Sequence, residues 1–162
     1  MPSTDAPRWM FCCDPGLLSG VAVLSWSPEG GIQVVTSLEC SLPLVGRAVS
    51  QFLGNHNAYD AEVVVERFVI TTKTAELGSP DWSLKVCGVI EWEIYRHWRV
   101  DGEQTIQYQQ AADAKNLVPN SVLRRAELWH RGGKGHALDA IRHGVYRYAV
   151  GHRIVDAWDS IR

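Results

Sequence analysis

A run of three β-branched residues constrains the fold of this chain more than any other feature. Val63, Val64 and Val65 follow one another without an intervening polar residue, and Glu66 ends the run. Strands that are apolar at consecutive positions are covered on both faces, as in parallel sheets flanked by helices. The run therefore predicts a central strand between two helical layers, with Glu66 at its end.

Three further strands are predicted before the valine run. Apolar or alternating segments at 9–13, 19–27 and 31–38 are separated by the turn sequences DPG at 14–16 and PEGG at 28–31. Pro and Gly at these points end each strand and reverse the chain. Because short turns join antiparallel neighbours, the three strands are expected to form a meander.

The apolar spacing predicts the remaining elements. Helices are expected over 43–54, 79–99 and 136–150, a shorter helix over 120–129, and a strand over 104–109. The order is βββαβαβα with one short extra helix. It predicts an α/β fold with a mixed five-stranded sheet, in which a three-stranded antiparallel meander continues into parallel strands flanked by helices.

Length and composition favour one domain. The 162 residues are 46% hydrophobic and 21% charged, which allows a substantial core and excludes a low-complexity chain. We predict a flexible segment at 1–8 and a single domain over 9–162. No signal-peptide pattern and no apolar run of membrane-spanning length is visible, and the cysteines lack metal-binding spacing, so a cytoplasmic protein with reduced thiols is expected.

Three acidic residues are predicted to meet at one edge of the sheet. Asp14 ends the first strand, Glu66 ends the central strand, and Asp139 lies in the first turns of the last helix. Strands joined by a helical crossover run parallel, and their carboxyl ends line the edge where α/β ligand sites form. Carboxylate oxygens suit Mg²⁺ or Mn²⁺, and two such ions can promote phosphodiester hydrolysis. Taken singly, each acid also fits a structural role, as a turn former, a solvated strand end or a helix N-terminal charge.

The last helix places histidines beside Asp139. His136 and His143 lie three residues before it and four after it, so the three share one helix face. Three roles are open for His136: binding metal, positioning water, or capping the helix. His143 is interpreted as an exposed or packing residue.

The charge of the chain is unevenly distributed. A net charge of −2 argues against a nucleic-acid partner, but residues 1–81 hold 4 basic and 9 acidic side chains (−5) and residues 82–162 hold 12 and 9 (+3). The window from Lys115 to Arg153 carries +6. A basic region of this kind is able to hold DNA phosphates. The DNA-binding candidates in this window are Arg124, Arg125, Arg131 and Lys134.

Three segments resemble the motifs of RuvC-type Holliday junction resolvases. CCDPGLLSGVA at 12–22 resembles the first motif, VVVE at 63–66 the second, and HALDAIRH at 136–143 the last, in family order. The compact chain is similar to phage-borne members of that family. The resemblance implies an RNase H-like fold and an endonuclease dependent on Mg²⁺ or Mn²⁺, with two ions expected. It further implies a homodimer that makes paired nicks in four-way DNA.

The resemblance also implies roles for individual residues. Asp14, Glu66 and Asp139 match the metal ligands, and His136 stands in the place of the fourth. Lys115 is favoured as the cation that stabilises developing negative charge, and Lys134, in a glycine-flanked loop, is another candidate.

Several alternatives remain open. Phe68 is a candidate DNA-contacting wedge, with core packing as its other interpretation. The substrate could be another branched DNA, such as a fork or a flap, or RNA, and a non-catalytic branched-DNA-binding module is a further alternative. The predicted helix over 79–99 has apolar residues on more than one face, so either it is deeply buried or its second face meets a partner.

Overall fold

A five-stranded mixed sheet forms the centre of the protein. The computed structural model describes residues 7–27, 30–69, 80–99 and 105–151. The strands are β1 (Arg8–Asp14), β2 (Ser19–Ser27), β3 (Gly31–Cys40), β4 (Ala61–Glu66) and β5 (Ile106–Gln109). Their order is β3-β2-β1-β4-β5. The β1–β2 and β2–β3 pairs are antiparallel, whereas β1–β4 and β4–β5 are parallel, so the predicted mixed sheet is confirmed.

Five α-helices accompany the sheet in the described part of the chain. They are α1 (Leu42–Asn55), α2 (Pro80–Trp98), α3 (Ala111–Leu117), α4 (Asn120–Arg125) and α5 (His136–Tyr146), and a π-helical turn, Arg147–Gly151, extends α5. The helix α3 was not predicted, because only Ala114 in its seven residues is buried and no apolar period appears. The helix α4 ends four residues earlier than predicted, where Glu127 adopts a positive φ of 59°.

Some predicted features fall outside the described residues. Of the segment predicted to be flexible, residues 1–6 lie outside them, and Arg8 is the first residue of β1. Arg153, which ends the basic window, also lies outside them. None of the helices in the described ranges is long and apolar enough to cross a membrane.

The three consecutive valines serve two different cores. Val64 packs in the layer that contains α5, together with Cys12 of β1. Val63 and Val65 pack on the opposite face, in the layer formed by α1 and α2. All three are fully buried, which confirms a central strand covered on both sides.

Two glycines allow α5 to lie directly on the sheet. A Cβ at Gly20 of β2 would lie 2.6 Å from the backbone nitrogen of Ala137 and closer still to the carbonyl of His136. A Cβ at Gly144 would lie 2.8 Å from the sulfur of Cys12. These contacts determine how near the first turn of α5 stands to the end of β1.

One face of α2 remains exposed. Val86, Ile90 and Ile94 are fully buried against the sheet and α1. On the other face, Leu84, Trp92 and Tyr95 are 51%, 61% and 51% exposed, respectively, so the helix has a second apolar face that the described residues do not cover.

Candidate active site

Three polar side chains end three adjacent parallel strands on the same face of the sheet. Cys12 and Val64 are register partners, and both face α5. Asp14 and Glu66 lie two residues further along the same strands, so they point to that face as well. Gln109, the register partner of Glu66, ends β5 beside them.

Asp14 is a buried carboxylate that lies close to a second carboxylate, Glu66. It is 8% exposed. Its burial and the nearby Glu66 carboxylate raise its pKa, while a hydrogen bond with His136 acts in the opposite direction. A cation bound at this edge would relieve the repulsion between Asp14 and Glu66.

His136, the first residue of α5, faces Asp14. Its Nδ1 lies 2.8 Å from Oδ2 of Asp14, and its side chain is 38% exposed. Two carboxylates and one imidazole therefore stand together at the carboxyl edge of the sheet. These donor types suit Mn²⁺ or Mg²⁺.

Glu39, at the end of β3, binds the N-terminus of α5. Its carboxylate accepts hydrogen bonds from the backbone N–H groups of Lys134 (2.8 Å), Gly135 (2.7 Å) and His136 (2.8 Å). These bonds lower the pKa of Glu39, and the bond from the Lys134 N–H has the largest effect. No sequence motif marks Glu39, because its partners lie about 95 residues away and become neighbours only when α5 docks on the sheet.

Asp139 is paired with two cations. The guanidinium of Arg142 contacts Oδ1, and Nζ of Lys115 lies 3.1 Å from Oδ2. Arg142 is buried and also donates from Nε to the carbonyl oxygen of Val118 at 2.9 Å. The structure thus brings the predicted charge-stabilising Lys115 to Asp139.

The four predicted metal ligands do not form one cluster. Asp14, Glu66 and His136 lie at one edge, but Asp139 is directed to Lys115 and Arg142. Within the described ranges, no group of three or more His, Cys, Asp or Glu side chains is arranged to hold a metal ion. The assignment of these residues as metal ligands stays a prediction.

Of the two interpretations of His143 from the sequence, an exposed or a packing residue, the structure excludes the first. It is 1% exposed, so it packs inside the protein, but it does so through polar contacts. Its Nε2 lies 2.9 Å from Oε2 of Glu66, and its Nδ1 lies 2.9 Å from Oε1 of Gln109. The available signal was its position seven residues after His136, which places both histidines on the same helix face.

Solved structures share this architecture. A structure of Thermus thermophilus RuvC in complex with Holliday junction substrate matches with a TM-score of 0.64 and 12% identity, over 90% of this chain and 96% of that chain. The chain has a RuvC-like fold. A second T. thermophilus RuvC structure matches with a TM-score of 0.62 and 12% identity over the same shares. No protein-family model and no curated protein sequence matches the chain.

In this RuvC-like fold, the basic candidates lie in the last turn of α4 and in the loop between α4 and α5. The guanidinium of Arg124 lies over the ring of Trp129, 4.4 Å from its centroid. These two residues, Glu127 and Arg131 line a cleft of about 640 Å³. Arg125, Arg131 and Lys134 are also exposed. Trp129 was not among the residues predicted to bind DNA.

Phe68 lies just beyond the end of β4. It is partly exposed and lines a cleft of about 600 Å³ together with Arg67, Leu84 and Tyr108. It therefore lies at the surface, two residues after Glu66 in the chain, rather than inside the core. Its role as a wedge stays a prediction.

Proposed function

We propose that this chain is a metal-dependent, structure-selective endonuclease that resolves four-way DNA junctions by paired phosphodiester hydrolysis, in recombination and repair. The carrying observation is the pair Asp14 and Glu66 at the ends of adjacent parallel strands, beneath a helix that begins with His136 and carries Asp139, in a RuvC-like fold. The T. thermophilus RuvC with the same fold has a Holliday junction as its substrate, which supports this choice.

The acidic residues are proposed to hold two Mg²⁺ or Mn²⁺ ions. Asp14, Glu66 and His136 supply donors at the sheet edge. Asp139 would join them by releasing Lys115 from Oδ2, while Arg142 keeps its contact with Oδ1. Bound ions of this kind activate water and stabilise the leaving oxygen of a phosphodiester. The site lies at the carboxyl ends of the parallel strands, where ligands of α/β sheets bind.

Lys115 and Arg142 have different proposed roles. The side chain of Lys115 is 51% exposed, so its ammonium can turn from Asp139 toward a DNA phosphate and stabilise negative charge there. The side chain of Arg142 is 7% exposed and is held by the Val118 carbonyl. It is therefore proposed to orient Asp139 rather than to touch DNA.

The basic surface beside α5 is proposed to hold the DNA backbone. Arg124, Arg125, Arg131 and Lys134 are the exposed cations of this surface. Trp129 restrains the Arg124 guanidinium by stacking beneath it, which lowers the entropy lost when that group meets a phosphate.

Replacing both Arg124 and Arg131 with Ala is expected to weaken junction binding. Each phosphate contact that is lost should reduce the slope of log affinity against log salt by about 0.9. Fluorescence anisotropy of a labelled junction in metal-free buffer, repeated at several salt concentrations, measures this slope. The control is Arg96→Ala, which removes an exposed cation from α2 on the opposite side of the sheet. A slope unchanged in the double variant would exclude this surface.

The exposed face of α2 is proposed to form a homodimer. Leu84, Trp92 and Tyr95 lie along one stripe, and two symmetric active sites are needed to make paired cuts. Light scattering at micromolar concentration should give twice the 18.1 kDa mass of the chain, and Trp92→Glu should restore the monomer mass. A monomeric wild-type protein would contradict this assembly.

The substrate is tested by cleavage of a four-way junction, a fork, a flap and a linear duplex. All four are compared at one salt concentration, because phosphate-driven affinity changes steeply with salt. Symmetric cuts in the junction, present with Mg²⁺ or Mn²⁺ and absent with EDTA, are expected. Preferential cutting of forks or flaps would identify a different branched-DNA nuclease. Tight junction binding without any cut would identify a non-catalytic module.

A further inference from the structure

A chain of three polar side chains joins β5, α5 and β4 beside the proposed catalytic edge. Nδ1 of His143 lies 2.9 Å from Oε1 of Gln109, and Nε2 of His143 lies 2.9 Å from Oε2 of Glu66. His143 is 1% exposed and Gln109 is 9% exposed, so the contacts are shielded from water.

A buried polar residue such as His143 is unusual at a helix position that faces an apolar core. Ala140, one turn before His143 on the same side of α5, is fully buried in the apolar core between this helix and the sheet. A buried imidazole or amide costs free energy unless it is hydrogen-bonded. The imidazole of His143 and the amide of Gln109 contact each other, and the imidazole also contacts Glu66. An apolar residue would pack there without such partners, so packing alone does not account for the histidine.

Both ring nitrogens of His143 are engaged. Nδ1 faces Gln109 and Nε2 faces Glu66, so neither is available to coordinate a cation. His136, by contrast, directs Nδ1 to Asp14 from a side chain that is 38% exposed. The two histidines on this face of α5 therefore differ in what they can do.

We propose that His143 is a positioning residue for Glu66. By holding Oε2 of Glu66 it sets the orientation of the carboxylate, so that Oε1 is the oxygen presented to a cation. Gln109 fixes the plane of the imidazole. This inference rests on the proposed function, since it assigns to His143 the support of one metal ligand. Side chains that orient a metal ligand through hydrogen bonds affect metal affinity or activity about 10–100-fold when they are replaced.

Two substitutions at His143 test the inference. His143→Leu replaces the imidazole with an apolar side chain of similar volume and removes both contacts. We expect the Mn²⁺ dissociation constant to rise about 10–100-fold. His143→Gln keeps an N–H donor for Glu66 and is expected to recover part of that affinity. Isothermal titration calorimetry with Mn²⁺ alone measures binding, and junction cleavage at saturating Mn²⁺ gives a second readout.

Arg147→Met is the matched control. Arg147 lies one turn further along the same face, and its Nε lies 2.6 Å from Oε2 of Glu62, four residues before Glu66. This variant also removes a polar contact between the helix and β4, but away from the sheet edge. Its Mn²⁺ affinity should match that of the wild type, and an equal loss in both variants would show that His143 acts only by holding the helix in place.

Further outcomes separate this inference from the proposed function. If His143→Leu does not fold, Gln109→Leu leaves the histidine present but frees its ring, and a raised Mn²⁺ dissociation constant is again expected. A wild-type protein that binds Mn²⁺ and cuts junctions, with unchanged His143→Leu or Gln109→Leu variants, would overturn the role of His143 alone. A wild-type protein that neither binds Mn²⁺ nor cuts junctions would overturn both the role of His143 and the proposed function.

Discussion

Replacing Asp14 with Asn is expected to reduce the rate of junction cleavage roughly 10³-fold, since ion-assisted stabilisation of the transition state contributes several kcal/mol. Asn keeps the size and one oxygen of the side chain but loses the charge that attracts a divalent cation. Junction binding in metal-free buffer should be unchanged, because the proposed phosphate contacts lie around Arg124 and Arg131. Single-turnover cleavage and anisotropy measure the two quantities separately.

The same substitution should not destabilise the protein. Burial and the Glu66 carboxylate raise the pKa of Asp14, so the folded state binds a proton there more tightly than the unfolded state does. Above the folded pKa the ionised carboxylate therefore lowers stability, and below the unfolded pKa this loss is absent. Asn carries no charge at neutral pH, so the melting temperature of the variant without metal should equal or exceed that of the wild type.

The control for Asp14→Asn is Asp60→Asn. Asp60 stands in the turn before β4, at the opposite end of the strand from Glu66. Its substitution changes the net charge by the same amount and should leave cleavage intact. Undiminished cleavage by Asp14→Asn would remove Asp14 from the site, and an equal loss in both variants would attribute the effect to net charge.

Replacing Gly20 with Ala is expected to lower the free energy of unfolding by about 3 kcal/mol, at the upper end of the range for overpacked interiors. The added Cβ would meet the backbone of His136 and Ala137, where no side chain can rotate away. Relief requires the first turn of α5 to move from β2. That movement would also separate His136 from Asp14, so Mn²⁺ affinity should fall together with stability. Urea denaturation and calorimetry measure the two effects.

Gly88→Ala provides the comparison for Gly20→Ala. A Cβ at Gly88 in α2 meets no atom of the described residues within 4 Å. Alanine is favoured over glycine inside a helix by about 0.5–1 kcal/mol, so this variant should be more stable than the wild type. A Gly20→Ala protein with the unfolding free energy and Mn²⁺ affinity of the wild type would contradict the close approach of α5 to β2.

The strands, and the strand ends that carry Asp14 and Glu66, were predictable because they depend on local sequence patterns. An alternating or continuous apolar run identifies a strand, and Asp14 and Glu66 follow such runs directly. A parallel arrangement of β1 and β4 then requires both carboxylates to emerge at one edge. The helix α3 was not predicted, and with it the position of Lys115 relative to Asp139, because seven residues are too few to show a period.

The partner of each polar side chain was not predictable. Asp139 shares a helix face with His136, which favoured a shared site, but Arg142 is also within reach at three residues and contacts it instead. The burial of His143 depends on Gln109, which belongs to a strand that precedes it by 34 residues. Contacts of this kind follow from the relative position of whole elements.

The sequence by itself determined the order and type of the main elements, the central position of β4, and the edge of the sheet that carries Asp14 and Glu66. Periodicity and turn residues act over a few residues, so they are readable along the chain. Only the tertiary structure decided that Glu39 binds the start of α5, that Lys115 and Arg142 contact Asp139, and that His143 contacts Glu66. The physical reason is that these pairings depend on how closely α5 approaches the sheet, and that distance is set by the contacts of Gly20 and Gly144 with distant parts of the chain.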